Sequence, residues 1–149
     1  MEISNQFRNL IVNEFKFAVK NMRETDHPAQ KLYFYSAAYG AVNRVFNIEF
    51  DPTLVHIFYI LEASYNSINF MTQRILKGEE KSIMLPNELF DHLADAIEDL
   101  SNKIAKDGDI YPTLQKIANI AYSATGNGHY LYRKGVFRLD LKSPKRKKS

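Results

Sequence analysis

Residues able to do chemistry are few in this chain and seldom fall in working combinations. A metal site in a helical bundle needs Glu-x-x-His pairs from two facing helices. Glu24-Thr25-Asp26-His27 has that spacing once, beside a proline, and no second copy follows. Glu88, His92, Asp95 and Asp99 share one helical face, opposite Phe90, Leu93 and Ile97. A solvated acidic surface is therefore expected there, with no metal and no cofactor. His56 lies in an apolar run and reads as a hydrogen-bonded core histidine. The chain has 0 cysteines, which removes disulfides, thiolate zinc sites and cysteine nucleophiles. Ser36, Ser64, Ser67 and Ser123 stand in no nucleophile elbow. No Walker loop and no Gly-x-Gly-x-x-Gly turn occurs, and Gly126-Asn127-Gly128 reads as a plain turn. No catalytic residue is assigned.

One acid–base pair comes near a known pattern. Small helical nucleases set an arginine and a histidine on one helix, and Arg23-x(3)-His27 falls one residue short of that spacing. His129-x(3)-Arg133 has the reverse order, so neither pair is assigned.

Two binding surfaces are better founded. Tyr35, Tyr39, Tyr65 and Tyr122 fall where three helices would converge, with Glu62, Asn66 and Asn69 nearby. They would line either a small apolar pocket with a few polar groups or an ordinary core edge. Residues 142–149 (KSPKRKKS) hold Lys142, Lys145, Arg146, Lys147 and Lys148 without an acid. With Arg133, Lys134 and Arg138 upstream, and Tyr130, Tyr132 and Phe137 between them, this segment could neutralise nucleic-acid phosphates and stack on a single strand. The same lysines could equally be solvated and idle. The net charge of +3 thus hides a tail of +5 on a body of −2.

The elements that carry these residues are helical throughout. Helix one is expected over residues 4–25, with Phe7, Leu10, Ile11, Phe15, Ala18 and Met22 on one face, widened by Phe17 and Val19. Asp26-His27-Pro28 stops it and starts helix two, residues 28–46, as an antiparallel hairpin. Ala37, Ala38, Gly40 and Ala41 predict a close neighbour for helix two, which would compensate the ~1 kcal/mol cost of a helical glycine.

The longest helix, residues 51–78, is expected to be the central scaffold. Asp51 caps it, Pro52 opens it, and Phe50 staples to Val55. Leu54, Phe58, Leu61, Tyr65, Ile68, Thr72 and Ile75 share a face, and Val55, Ile57, Tyr59 and Ile60 make its first half apolar on nearly every side. Gly78 closes this helix after Arg74 and Lys77. A second hairpin follows, residues 85–104 with Phe90, Leu93, Ile97, Leu100 and Ile104 inward, then residues 111–125 with Leu114, Ile117, Ala121 and Ala124 inward. Gly108 is expected as the cap between them, and the small residues of helices two and five predict that those two pack together. Residues 129–141 read as either a hairpin or a last irregular helix.

The whole is an all-α antiparallel bundle of five or six helices, four of them long, over residues 1–141, followed by a flexible basic tail at 142–149. At 149 residues, 45% hydrophobic and 25% charged, the chain suits one soluble domain. The first twenty residues hold no signal-peptide core, no uncharged run reaches the ~20 residues of a membrane span, and the lack of cysteine fits a reducing cytosol. Three functions remain open. They are a non-enzymatic interaction or scaffold module, a nucleic-acid accessory protein acting through residues 129–149, and a small-ligand binder or enzyme with a tyrosine-lined pocket. The wide apolar arcs of helices one and three favour a homo-oligomer.

Overall fold

The computed structural model describes residues 1–77 and 86–125, which form helices α1 (Asn5–Glu24), α2 (Pro28–Phe46), α3 (Pro52–Leu76), α4 (Pro86–Ala105) and α5 (Tyr111–Thr125). The chain is an all-α helical bundle. α1, α2, α3 and α5 each start where a side chain can take up a free amide. Ser4 accepts from Phe7 N at 3.3 Å, and His27 Nδ1 accepts from Ala29 N at 3.2 Å ahead of Pro28. Asp51 accepts from Thr53 N at 2.7 Å, and Asp109 accepts from Tyr111 N at 3.1 Å. Two helix C-termini are closed by cations from other elements. Lys31, buried, donates to Met22 C=O at 2.5 Å, and Arg8 donates to Ile104 C=O at 2.8 Å. Each places positive charge where exposed carbonyls gather.

α1 and α2 form the first hairpin, and α1 also lies along α4. α3 packs on the other side of α2, α5 on α3, and α4 closes the ring against α5, with a further α2–α4 contact across the middle. The core between them includes Phe15, Tyr35, Leu61, Phe90, Leu93 and Ile117. The expected inward row of α4 (Phe90, Leu93, Ile97, Leu100 and Ile104) is buried throughout. Among the described residues no helix is long and apolar enough to cross a membrane.

Several expectations need correction. α3 is not the hub. It touches chiefly α2 and α5, while α2 and α4 each meet three neighbours, so part of its apolar surface stays uncovered. Tyr59 is 50% exposed, and Phe50 is 68% exposed instead of stapled down. Nor do α2 and α5 pair as a principal contact. α3 lies between them, so Ala41 and Ala121, both fully buried, serve different neighbours. In α1, Val19 joins the core but Phe17 stays 58% exposed and Leu10 37%. Close packing does not explain Gly40 either. A Cβ there would meet only Arg44 Nη1, at 3.8 Å.

The α4–α5 turn also differs from the expectation of a glycine cap. Gly108 N donates to Lys103 C=O at 2.7 Å and Asp107 N to Ile104 C=O at 3.2 Å, the paired bonds of a Schellman ending. The left-handed residue of that motif is Asp107, at φ 57°. Its carboxylate lies 3.5 Å from Arg8 Nη1. The expectations on Gly78, Gly126-Asn127-Gly128 and residues 129–149 lie outside the described residues, as do the side chains of Arg74, Ile75 and Ala124.

Asp51 knits three segments together. Besides capping α3 it accepts from Glu2 N at 2.8 Å, next to Glu49, which accepts from Ser4 N at 2.8 Å. Burial alone would raise the Asp51 carboxyl, but the amides of Glu2 and Thr53 outweigh it and hold the group below the usual carboxylate range. A carboxyl depressed on folding stabilises above its unfolded pKa of ~4, and that contribution is lost as pH falls through the folded value. Asp51→Ala should cost about 1–2 kcal/mol at neutral pH. In urea titrations the difference between Asp51→Ala and the parent should narrow below about pH 4. By contrast, Gly40→Ala in dilute, monomeric protein should gain about 1 kcal/mol, since the helix prefers alanine and no neighbour within the chain objects.

Candidate interaction surface and the other sites

The acidic residues of α4 lie on its outer surface, and three of them, Asp95, Glu98 and Asp99, are engaged in holding the bundle. Arg23 of α1 donates to Asp95 at 2.7 Å and to Glu98 at 3.0 Å. The Glu98 bond foremost, with help from Asp95, pushes the Arg23 guanidinium above its ordinary value. One turn on, the buried Thr113 hydroxyl donates to Asp99 at 2.6 Å and accepts from Lys103 at 3.2 Å. That bond leads Lys103 and Lys116 in holding the Asp99 carboxyl low, against partial burial. No group of three potential ligands able to hold a metal occurs among the described residues. Beside this face, His92, Asp95, Lys116, Asn119, Ile120 and Ser123 line an open groove of about 380 Å³ between α4 and α5. Ser123 donates its hydroxyl to Asn119 C=O at 3.1 Å, so it does not address His92. His56 is exposed, not a core histidine, and its Nδ1 lies 2.7 Å from the Tyr111 hydroxyl.

Three of the four tyrosines gather on the α2–α3 seam. Tyr39 meets Tyr65 edge-on with ring centroids 5.5 Å apart and Phe58 at 5.9 Å, and Phe58 in turn meets Phe46 at 5.6 Å. Rings this close touch one another and leave no ligand-sized space between them. Tyr35 is fully buried, with its hydroxyl 3.4 Å from Leu61 C=O. Burial pushes it well above the ordinary phenol range, opposed only by the nearby Ser64 hydroxyl, so it stays neutral. Tyr39 is raised by burial first, then by Tyr65 and Glu62. Tyr122 stands 42% exposed on α5. The eight cations from Arg133 to Lys148 lie outside the described residues.

A surface not singled out in the sequence lies on the outer side of the α1–α2 hairpin. Leu10, Glu14, Phe17 and Asn21 step 4, 3, 4 along α1, and Tyr33, Ala37, Gly40 and Arg44 do the same along α2. Such spacing keeps each set on one helical face. Arg44 Nη2 lies 3.9 Å from Glu14 Oε1, which sets the two rows side by side. Since the helices are antiparallel, Phe17 then comes level with Gly40, and Asn21 with Ala37. Phe17 is 58% exposed and Tyr33 69%, so two aromatic rings flank a low floor of small residues. The signal was present in the sequence as a second 4, 3, 4 row on each helix. It was masked because Phe17 and the alanines were assigned to the core.

Compared with known protein families, with curated proteins and with solved structures, the chain matches none.

Among the described residues two buried hydroxyls on α3 make no hydrogen bond of normal geometry, Ser67 Oγ with no partner at all and Ser64 Oγ with only the Tyr35 hydroxyl nearby. An unsatisfied buried hydroxyl is costly, and serine is a poorer helix former than alanine. Ser64→Ala and Ser67→Ala should each leave stability unchanged or raise it by about 1 kcal/mol, read from chemical denaturation midpoints at constant slope. A loss above about 1 kcal/mol in either variant would show that the hydroxyl has a partner in solution.

Proposed function

We propose that this chain is a non-catalytic interaction module that engages another protein surface through the outer face of its α1–α2 hairpin. The observation that carries the reading is Phe17 and Tyr33, large apolar side chains left out of the core on either side of Ala37 and Gly40. Aromatic anchors beside small residues are what a docking surface needs. Rings supply contact area at little entropic cost, and small residues let a partner approach the backbone. The charged groups of α4 and the tyrosines of α2–α3 support the same reading indirectly. Asp95, Glu98 and Asp99 are taken up in links between helices, and Tyr39 and Tyr65 in ring packing. The absence of cysteine suits such a module in a reducing cytosol.

The reading is tested with a photo-crosslinking benzoylphenylalanine placed at Phe17, and for comparison at exposed Asp91 on α4, in the full chain expressed in cells. A discrete adduct from position 17, absent from position 91 and lost on Gly40→Leu, is the expected outcome. Equal adducts from both positions, or none from position 17, would count against the face as a docking surface.

A further inference from the structure

We infer that the partner seated on this face is a second copy of the same chain, in a two-fold dimer whose axis runs parallel to the hairpin. The inference rests on the interaction-module reading above and supplies its occupant.

The argument comes from the levels of the two rows. Glu14 and Arg44 meet across the hairpin at 3.9 Å, so they mark one level. One turn along each antiparallel helix, Phe17 and Gly40 mark the next. A two-fold axis lying in the interface and parallel to the helices lays α1 of one copy over α2 of the other without changing any level. Phe17 then settles on the partner's Gly40, and Glu14 faces the partner's Arg44. Symmetry makes each contact twice, as an isologous interface requires.

Two features of the isolated chain fit this arrangement. Gly40 has no reason within the chain to be glycine, because a Cβ would touch nothing closer than Arg44 Nη1 at 3.8 Å. A ring laid on that stretch of backbone supplies one. The charges at this level also match themselves, Glu14 with Arg44, so a second copy brings the complement automatically, while Glu24 further along α1 is answered within its own helix by Lys20. An unrelated partner would have to reproduce the pattern.

Size sets the strength. A helix of about 19 residues is ~28 Å long, and two adjacent helices present a face ~20 Å wide. Each copy would then bury on the order of 500 Å², and the pair on the order of 1,000 Å², the low end for a specific interface. An interface of this size belongs with the weaker, exchanging assemblies, so monomer and dimer are expected to interconvert.

The test is sedimentation of the full chain from about 1 μM to about 1 mM, the span over which so small an interface changes occupancy. A monomer–dimer equilibrium is expected, weakened roughly tenfold or more by Gly40→Leu and by Arg44→Glu. Thermal melting of each dilute variant checks that the monomer still folds. Combining Glu14→Arg with Arg44→Glu restores both cross-copy ion pairs and should recover most of the dimer. A chain that stays monomeric throughout, or a dimer indifferent to all three changes, overturns the inference. The mass of the adduct at position 17 then separates the two ideas. An adduct with a different protein leaves the docking face standing with another occupant, whereas no adduct removes both.

Discussion

Every helix here has one apolar arc to hide, and a single shared interior is the only place available for all five. α2 and α4 reach each other across that interior, while α1, α3 and α5 close its sides. Tyr35, Phe15 and Phe90, the largest of the fully buried side chains, come from α2, α1 and α4. Burying one such side chain contributes a few kcal/mol, against the entropy of ordering every residue along these helices. No pair of helices could meet that cost alone, so the position of each depends on the rest. The termini are held by the same economy of partners. Lys31 and Arg8 leave their own helices to close the ends of α1 and α4, which ties hairpin geometry to helix-end electrostatics.

Within this framework some residues are locally unfavourable. Ser64 and Ser67 bury hydroxyls without a normal hydrogen bond, Gly40 weakens α2, and Asp107 adopts a left-handed conformation that glycine would take more readily. They differ in what surrounds them. Asp107 is paid back locally by the Schellman bonds and by Arg8. The serines face a packed interior, where Ser67 has no partner and Ser64 only the nearby Tyr35 hydroxyl. Gly40 faces outward, where a Cβ would meet nothing closer than Arg44 Nη1 at 3.8 Å, so its cost has no compensation within the monomer.

The outer hairpin face and the polar groove between α4 and α5 show how differently exposed surface can be built. In the groove, Asp95 already answers Arg23, and Ser123 answers its own helix. On the hairpin, Phe17 and Tyr33 are large, apolar and open to solvent. Scattered surface hydrophobes are ordinary, but here they border small residues and a self-complementary pair of charges.

The five helices of the described residues, most of their limits and the inward rows were legible in the sequence because they depend on local chemistry. Ser4, Asp51 and Asp109 cap whatever helix follows them, prolines open helices wherever they stand, and a 3.6-residue period shows in any apolar row such as Phe90 to Ile104. The basic character of residues 142–149 is likewise a matter of composition. What only the tertiary structure decided was which arc meets which neighbour. Small residues on α2 and α5 say that something comes close, but not what, and α3 took the place between them. Val19 and Phe17 are both apolar and two residues apart, and only the placement of α2 and α4 around α1 could send one inward and leave the other in water. His56 in the same way lies in an apolar run yet faces Tyr111 at the surface. Periodicity defines a face, whereas burial is a property of the neighbours that happen to cover it.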